Sequence, residues 1–422
     1  MNGLRGPLVP LALCASLLVA AGCGGGEGDG GELVVTTWDA GQGADPVETA
    51  ARDFEKATPG VRVTVSKTAY VQYTQALRRR LTAGRVPDVA TALLGYGEAS
   101  AARALADKGL LTDLGGAPWA KRIPPASRFM TDDGGRTIAF PTESTAIGVF
   151  HDPRVLAKQG VTAPKTFADV LALCGKAKAD GRTAFALGGT ETSGMPRFVG
   201  FALAASSAFA DDPRAGERRL AAGATFAGTA GWRRALEKFV RMRDAGCFPK
   251  DAAGASQEAA SRALAQGKAW MAVAPTATLP LFQAGNPDAR LEMFAFPGDD
   301  DPARVRVPAG PVSGLVVPAK ARNAELAKRF LDFYAGNQAK YAGAGTMPGL
   351  APSAGDPGLP AYAEALAPYL TGGRTAPIAD QQWPNPEVVI RFGGGLVQIL
   401  SGNKGPADVL TSMDSAWTAK AP

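Results

Sequence analysis

Leu33-Val34-Val35-Thr36-Thr37-Trp38 and Val61-Arg62-Val63-Thr64-Val65, with the helical pattern from Pro46 to Lys56 between them, decide the fold. The first run is β-branched and apolar, as a buried strand requires, and the second alternates with period two. Pro46 opens the helix, where its missing amide proton costs nothing, and Pro59-Gly60 ends it. Tyr70 to Thr82 reads as a second helix stopped by Gly84. Pro87-Asp88-Val89-Ala90 starts a third strand, and Glu98 to Lys108 is a helix capped by Gly109. Strands and helices alternating at this short spacing predict an α/β fold with parallel strands and helical crossovers.

Further along, Arg136 to Pro141 and Ala146 to Phe150 read as two strands joined by Thr142-Glu143-Ser144-Thr145. Helices follow over Phe167 to Ala179, Gly231 to Asp244 and Gln257 to Ala265. Lys268 to Ala274 reads as a strand, as do Leu291 to Phe296 and Val312 to Val317, and the chain is mostly helical from Asn323 onward. A chain of 422 residues exceeds what one core accommodates, so two lobes are expected. The apolar fraction of 46% and charged fraction of 20% suit a folded globular protein. The net charge of +6 contains no long block of one sign. Arg78-Arg79-Arg80, the densest basic run, is spread by helical geometry into a solvated face. Aromatic and basic residues are not interleaved, which argues against nucleic acid as a partner.

Upstream of the first strand, Arg5 precedes an apolar run from Leu8 to Ala21 that closes on Ala20-Ala21-Gly22, followed by Cys23 and the glycine-rich Gly24 to Gly31. This order is that of a secretory signal with a Cys at the cut, and it resembles the lipobox of bacterial lipoproteins, with Ala20 where Leu is usual. It implies a signal peptide over 1–22, acylation of Cys23 and a flexible tether over 23–32. The alternative is an ordinary signal peptide whose Cys is incidental. Leu13 before Cys14 makes that Cys a poor cut site, and the apolar run is shorter than the ~20 residues that span a bilayer. The body is therefore expected to be exported and lipid-anchored to the outer face of the cell membrane, or in a periplasm. Two thiols remain there, Cys174 and Cys247, which in an exported protein favour a disulfide. With His151 as the single histidine and no Cys pairs at ligand spacing, no metal site and no cofactor are expected.

Several stretches, in order, carry a family resemblance: Phe54 to Val63, Leu81 to Val89, Leu105 to Leu111, Gly135 to Pro141 with Gly148 to His151, Pro164 to Val170, Ala265 to Met271, Gly310 to Pro318, Ala327 to Tyr334 and Ser401 to Lys404. Together they resemble the extracellular solute-binding proteins of carbohydrate ABC importers, the family of maltose-binding protein. The resemblance runs from about Leu33 to Trp417. It implies a two-lobe periplasmic-binding-protein-like fold with a hinge and an inter-lobe cleft. Lobe I is expected to hold 33–141 and 312–346, and lobe II 142–311 and 347–422. It implies a monomer that delivers a sugar or oligosaccharide to ABC permease subunits, with a separate ATPase.

Holding a sugar takes flat aromatic surfaces for its C–H faces and planar polar or charged groups for its hydroxyls. The resemblance directs the search to strand ends. Trp38 and Asp39 end the first strand, although a Trp there could equally be core. Tyr70 and Tyr73 follow the second strand, with helix packing as the alternative. Tyr96 follows the third, where Leu93 and Leu94 replace polar residues frequent in relatives. Glu143 and Ser144 lie in the crossover that matches the family's cleft-lining segment. Glu191 sits in a polar loop, Thr276 and Thr278 follow Pro275 in a loop that relatives use for binding, and Ser313 lies in Gly310 to Gly314. Trp383 and Arg391 frame a C-terminal helix in which Gly393-Gly394-Gly395 has no evident role.

A surface-anchored glycoside hydrolase is the rival class, since paired carboxylates are not recognisable by spacing alone. Neither a Gly-x-Ser-x-Gly elbow nor His-Glu-x-x-His occurs, and Ser401-Gly402-Asn403-Lys404 lacks the companion motifs of penicillin-binding enzymes. No Walker A sequence is present, so ATP hydrolysis falls to a partner. The chain is therefore expected to be a binder and not an enzyme. A non-sugar solute on the same fold is the other alternative; Asp39 and Glu143 are too few acids for a cation ligand.

Overall fold

The computed structural model describes residues 31–39, 45–190, 194–216, 219, 223–343, 345–352 and 358–419. Cys14, Cys23, the signal sequence, most of the tether and Glu191 lie outside the described residues.

The opening pattern folds as read: β1 (Gly31–Asp39), α1 (Pro46–Ala57), β2 (Val61–Ala69), α2 (Tyr70–Thr82) and β3 (Val89–Leu93). Asp45 caps α1 by accepting from the Val47 and Glu48 amides, two of the donors a helix start leaves unpaired. β1 pairs in parallel with both β2 and β3. The buried Asp88 carboxylate accepts from the Val34 amide and the Asn323 amide, which ties the start of β3 to β1 and to a distant helix.

The other strands of the main sheet are β4 (Phe140–His151), β5 (Thr183–Phe185), β6 (Ala269–Pro275), β7 (Glu292–Phe294), β8 (Val307–Val316), β9 (Met347–Pro348) and β10 (Thr375–Ala376). All ten form one mixed sheet in the order β2-β1-β3-β8-β4-β6-β5, with β9 and β7 also on β4 and β10 on β8. The helices that matter below are α3 (Phe167–Ala179), α4 (Met195–Asp211), α5 (Ala230–Asp244), α6 (Ala324–Tyr341), α7 (Glu387–Leu400) and α8 (Pro406–Thr418).

Several elements differ from the sequence reading. Arg136 to Pro141 is not one strand: Arg136–Thr137 pairs with Asp132–Asp133 in a separate two-stranded sheet, and Phe140 opens β4. Thr142 to Thr145 is not a connection between strands but the middle of the continuous β4. Both of its edges are paired there, with β8 through Ser144↔Pro311 and with β9 through Ser144↔Met347, so the polar run stays extended. The helix expected from Glu98 shrinks to Ala102–Ala106.

The sheet carries two cores. Leu33, Val35, Val89 and Phe54 pack with Phe330 and Tyr334 of α6 on one face of the first strands, and Ala90, Ala92 and Leu77 pack on the other. A larger core gathers Val149 and Phe150 of β4, Trp270 of β6, α4, α5 and α7. β4 leaves the first core at Phe140 and enters the second at Ala146. β8 runs the opposite way, from Val307 in the second to Leu315 in the first. The polar residues between those anchors therefore lie at the junction. Cys174 and Cys247, with Cα atoms 4.6 Å apart, form a disulfide that fixes α3 to the segment after α5.

Candidate functional site at the junction of the two cores

The junction is polar because neither core claims it. In β4, Glu143 is half-buried and its Oε1 accepts the Ser313 hydroxyl of β8 at 2.9 Å. The Thr142 hydroxyl donates to the Ser313 carbonyl at 3.1 Å. One strand further, Gln381 sits in a 3-10 turn, Ala379–Gln382. Its Nε2 donates to the Pro311 carbonyl of β8 at 2.7 Å, and its own carbonyl accepts the Tyr96 amide at 2.7 Å. Gly95 at φ +72° permits this approach: a Cβ there would stand 2.5 Å from the Gln381 carbonyl oxygen.

Beside this turn lies a second polar group. Asp380 is half-buried, and desolvation raises its pKa above the ordinary carboxylate range while the Arg197 guanidinium opposes the rise. Arg197 stands in the first turn of α4, after the left-handed Gly194. The same guanidinium acts weakly, through its charge, on the Tyr70 hydroxyl at the start of α2. Desolvation and a 2.7 Å hydrogen bond to Glu98 hold that hydroxyl well above the usual tyrosine range. The Tyr70 ring stands edge-on to Trp38 with centroids 5.5 Å apart.

Two of the buried polar atoms without a partner belong to these residues, Arg197 Nε and Gln381 Oε1. Such atoms cost about 1–3 kcal/mol each unless a ligand or water pairs them. Arg197, Asp380 and Gln381 were not singled out in the sequence; Gln381-Gln382 beside an Asp, with no apolar periodicity, is a signal by which Asp380 and Gln381 could have been found.

Of the residues the sequence suggested, Trp38, Tyr70, Glu143, Ser144 and Ser313 lie at the junction, and Asp39 is exposed at the end of β1. Tyr96 lies there by its backbone; its ring packs on Phe129 and under the Arg103 guanidinium, and its hydroxyl donates to Asp107. Thr278 is half-buried in the turn after β6.

Four expectations need correction. Tyr73 is 3% exposed, and its hydroxyl lies 2.7 Å from the Thr91 carbonyl and 3.1 Å from that of Thr36, so it is a core residue tying β1 and β3. Trp383 is 2% exposed, enclosed by Phe201, Phe226, Trp232 and Phe392. Thr276 is fully buried against the Thr145 hydroxyl at 2.8 Å, a fastener between β4 and the turn after β6. Arg391 is exposed on the outside of α7 and pairs with Glu387 one turn back.

Among the described residues, no group of three or more His, Cys, Asp and Glu side chains could hold a metal ion, and no helix is long and apolar enough to cross a membrane. A large mixed sheet passing through two cores, with a polar junction where two strands cross, defines the architecture of a two-lobe solute binder. The chain matches the bacterial extracellular solute-binding protein family over residues 49–364, three-quarters of its length, and belongs to it. It is 23% identical to the multiple sugar-binding protein of Streptococcus mutans over 287 residues, 67% of this chain and 66% of that protein. The match thus falls just short of two thirds of that relative's length. Among solved structures, a probable secreted solute-binding lipoprotein from Streptomyces coelicolor superposes with a TM-score of 0.71 at 22% identity, covering 92% of this chain and 98% of that one. The raffinose complex of RafE, a protein of Streptococcus pneumoniae, does so with a TM-score of 0.71 at 17% identity, over 91% and 98%.

Proposed function

We propose that this extracellular solute-binding protein takes a sugar or oligosaccharide at the junction and delivers it, unchanged, to the permease of an ABC importer whose ATPase is a separate chain. One observation carries the reading. Trp38 and Tyr70 offer aromatic surface, and Arg197 Nε and Gln381 Oε1 offer an unpaired donor and an unpaired acceptor, beside the Asp380 carboxyl. A polyol supplies both kinds of partner at once: C–H faces for the rings, and hydroxyls that donate and accept. A hydrocarbon would leave the polar atoms orphaned. The sugar-binding relative and the raffinose-bound neighbour support the same class.

In this reading, lobe I is 33–141 with 312–346 and lobe II is 142–311 with 347–422. The lobes open and close about β4 and β8, and ligand stabilises the closed form by contacts made only there. The ligand-contacting set is Trp38, Asp39, Tyr70, Glu143, Ser144 and Ser313, joined by Arg197, Asp380 and Gln381. The protein acts as a monomer without a cofactor or catalytic step, anchored by acylated Cys23 to the outer face of the membrane. The lipobox-like sequence and the lipoprotein neighbour support the anchor.

A thermal-shift panel of carbohydrates, polyamines and peptides tests the ligand class, because a ligand of the folded form raises its melting point. A shift with at least one carbohydrate, and no product on prolonged incubation, is expected. A shift with a polyamine or peptide alone rejects the carbohydrate class, and turnover rejects the binder.

A further inference from the structure

We infer that this chain carries a second binding site, for a phosphate-bearing organic anion, in a basic cavity where three helices of the larger core end. The cavity encloses about 620 Å³. That volume lies within the roughly 300–1,000 Å³ of small-molecule pockets. It shares no lining residue with the junction, so the inference stands apart from the carbohydrate reading. Lys178, Arg182, Arg243 and Lys250 bring positive charge to its walls, and Asp244 is the only carboxylate among the described lining residues.

Helix ends account for part of this charge. α3 ends at Ala179, α5 at Asp244 and α7 at Leu400, and the open carbonyls of a helix C-terminus attract cations. Arg243 answers that attraction. Its Nη1 donates to the Ile399 carbonyl at 2.8 Å, and its Nη2 pairs with Asp244 at 2.7 Å, which occupies the cavity's carboxylate as well. Lys178, Arg182 and Lys250 are left over: among the described residues, their side chains make no hydrogen bond and no ion pair. Like charges around one cavity repel, and an anion of two or more charges between them reverses the sign of that interaction. Arg182 offers a planar fork that matches two phosphate oxygens, and the lysines act as point charges beside it.

The walls are set in place by the fold. The Cys174–Cys247 disulfide ties α3, one turn before Lys178, to the segment that carries Phe248, Pro249 and Lys250. Gly246 is left-handed at φ +74°, and a Cβ there would stand 2.9 Å from Lys178 Cδ. The lysine's methylene chain therefore lies across the glycine, which directs its ammonium group. Phe248, 9% exposed, and Leu400 add apolar surface to the lining. An inorganic phosphate would meet the charges and leave that surface uncovered; an organic phosphate meets both.

Calorimetric titration at about 0.15 M salt tests this with adenosine diphosphate, inorganic pyrophosphate and adenosine. Adenosine diphosphate should bind with a dissociation constant below ~1 mM, pyrophosphate more weakly, and adenosine not at all. Arg182→Gln with Lys250→Gln removes two charges from exposed side chains. That variant should weaken adenosine diphosphate at least tenfold with the melting point unchanged. Arg79→Gln with Arg80→Gln removes as many charges from the exposed face of α2 and should leave the constant within about twofold of wild type. No binding of adenosine diphosphate, equally strong binding of adenosine, or an equal loss in both double variants overturns the site. Dihexanoyl phosphatidylglycerol, a water-soluble lipid, distinguishes the source. Weaker competition than adenosine diphosphate itself is expected and marks a soluble phosphate; stronger competition marks a lipid headgroup at the same site.

Discussion

The Ser313 hydroxyl donates to Glu143 Oε1 at 2.9 Å, joining the two long strands at the point where both pass from one core to the other. The bond leaves the other carboxylate oxygen for a second donor. A ligand hydroxyl there would make a charge-assisted bond, worth about 1.5–3 kcal/mol. Glu143→Gln keeps an acceptor for Ser313 but removes the charge. The expected result is a dissociation constant weakened by about tenfold or more, with the melting point of the free protein nearly unchanged. An unaltered constant in a titration with the bound carbohydrate would take Glu143 out of the site.

Tyr73 supplies the contrasting case. Its hydroxyl lies between the carbonyls of Thr36 and Thr91 and its ring is enclosed, so its role is to hold β1 beside β3. Tyr73→Phe should cost about 1 kcal/mol of stability in chemical denaturation, the usual net value of one buried hydrogen bond. Ligand affinity should be retained. A variant that is as stable as wild type but loses binding would restore Tyr73 to the ligand set.

The disulfide between Cys174 and Cys247 closes a loop with a sequence separation of 73. In the chain-entropy account a loop of that size is worth about 4 kcal/mol, because the crosslink restricts the unfolded chain more than the folded one. Cys174→Ala with Cys247→Ala, or full reduction, should lower the melting point by several degrees under identical buffer. Two freely reactive thiols in unreduced mature protein, with no change on reduction, would show that the bond does not form in the exported chain.

These contrasts explain what the sequence disclosed and what it hid. The strand-helix-strand opening was legible because Pro46, Pro59-Gly60 and Gly84 punctuate it locally, and β1, α1, β2 and α2 lie where that punctuation puts them. α4 was not legible. Thirteen of its seventeen residues are buried on every side, so it shows none of the amphipathic periodicity by which a helix is recognised. Aromatics misled for a related reason. Trp383 and Trp38 stand in similar polar local sequences, and only the packing of Phe201, Phe226, Trp232 and Phe392 around Trp383 separates a core Trp from one at the junction. Arg197 and Asp380, 183 positions apart by their numbers in the sequence, come within electrostatic range only through the fold.

His151 gives the last test, at the far end of β4. It is the only histidine, 8% exposed, with Nδ1 3.2 Å from the Glu292 carbonyl and its ring edge-on to Phe294. Burial lowers its pKa, against the smaller opposing effects of Glu292 and Asp152. A group whose pKa is depressed on folding binds protons more readily in the unfolded chain. Its contribution to stability is therefore complete above the unfolded value near 6.5 and declines as pH falls from there through the folded pKa. The carboxylates with lowered pKa values, Asp152, Asp211 and Asp299 among them, lose their contributions at more acidic pH, and Asp332 and Asp380, whose pKa values are raised, act in the opposite sense as pH falls, so a loss of stability just below 6.5 belongs to His151. Denaturation midpoints measured from pH 7.5 to 5 should fall in wild type and stay nearly level in His151→Gln, which cannot titrate. Parallel curves for the two proteins would mean that another group governs that interval.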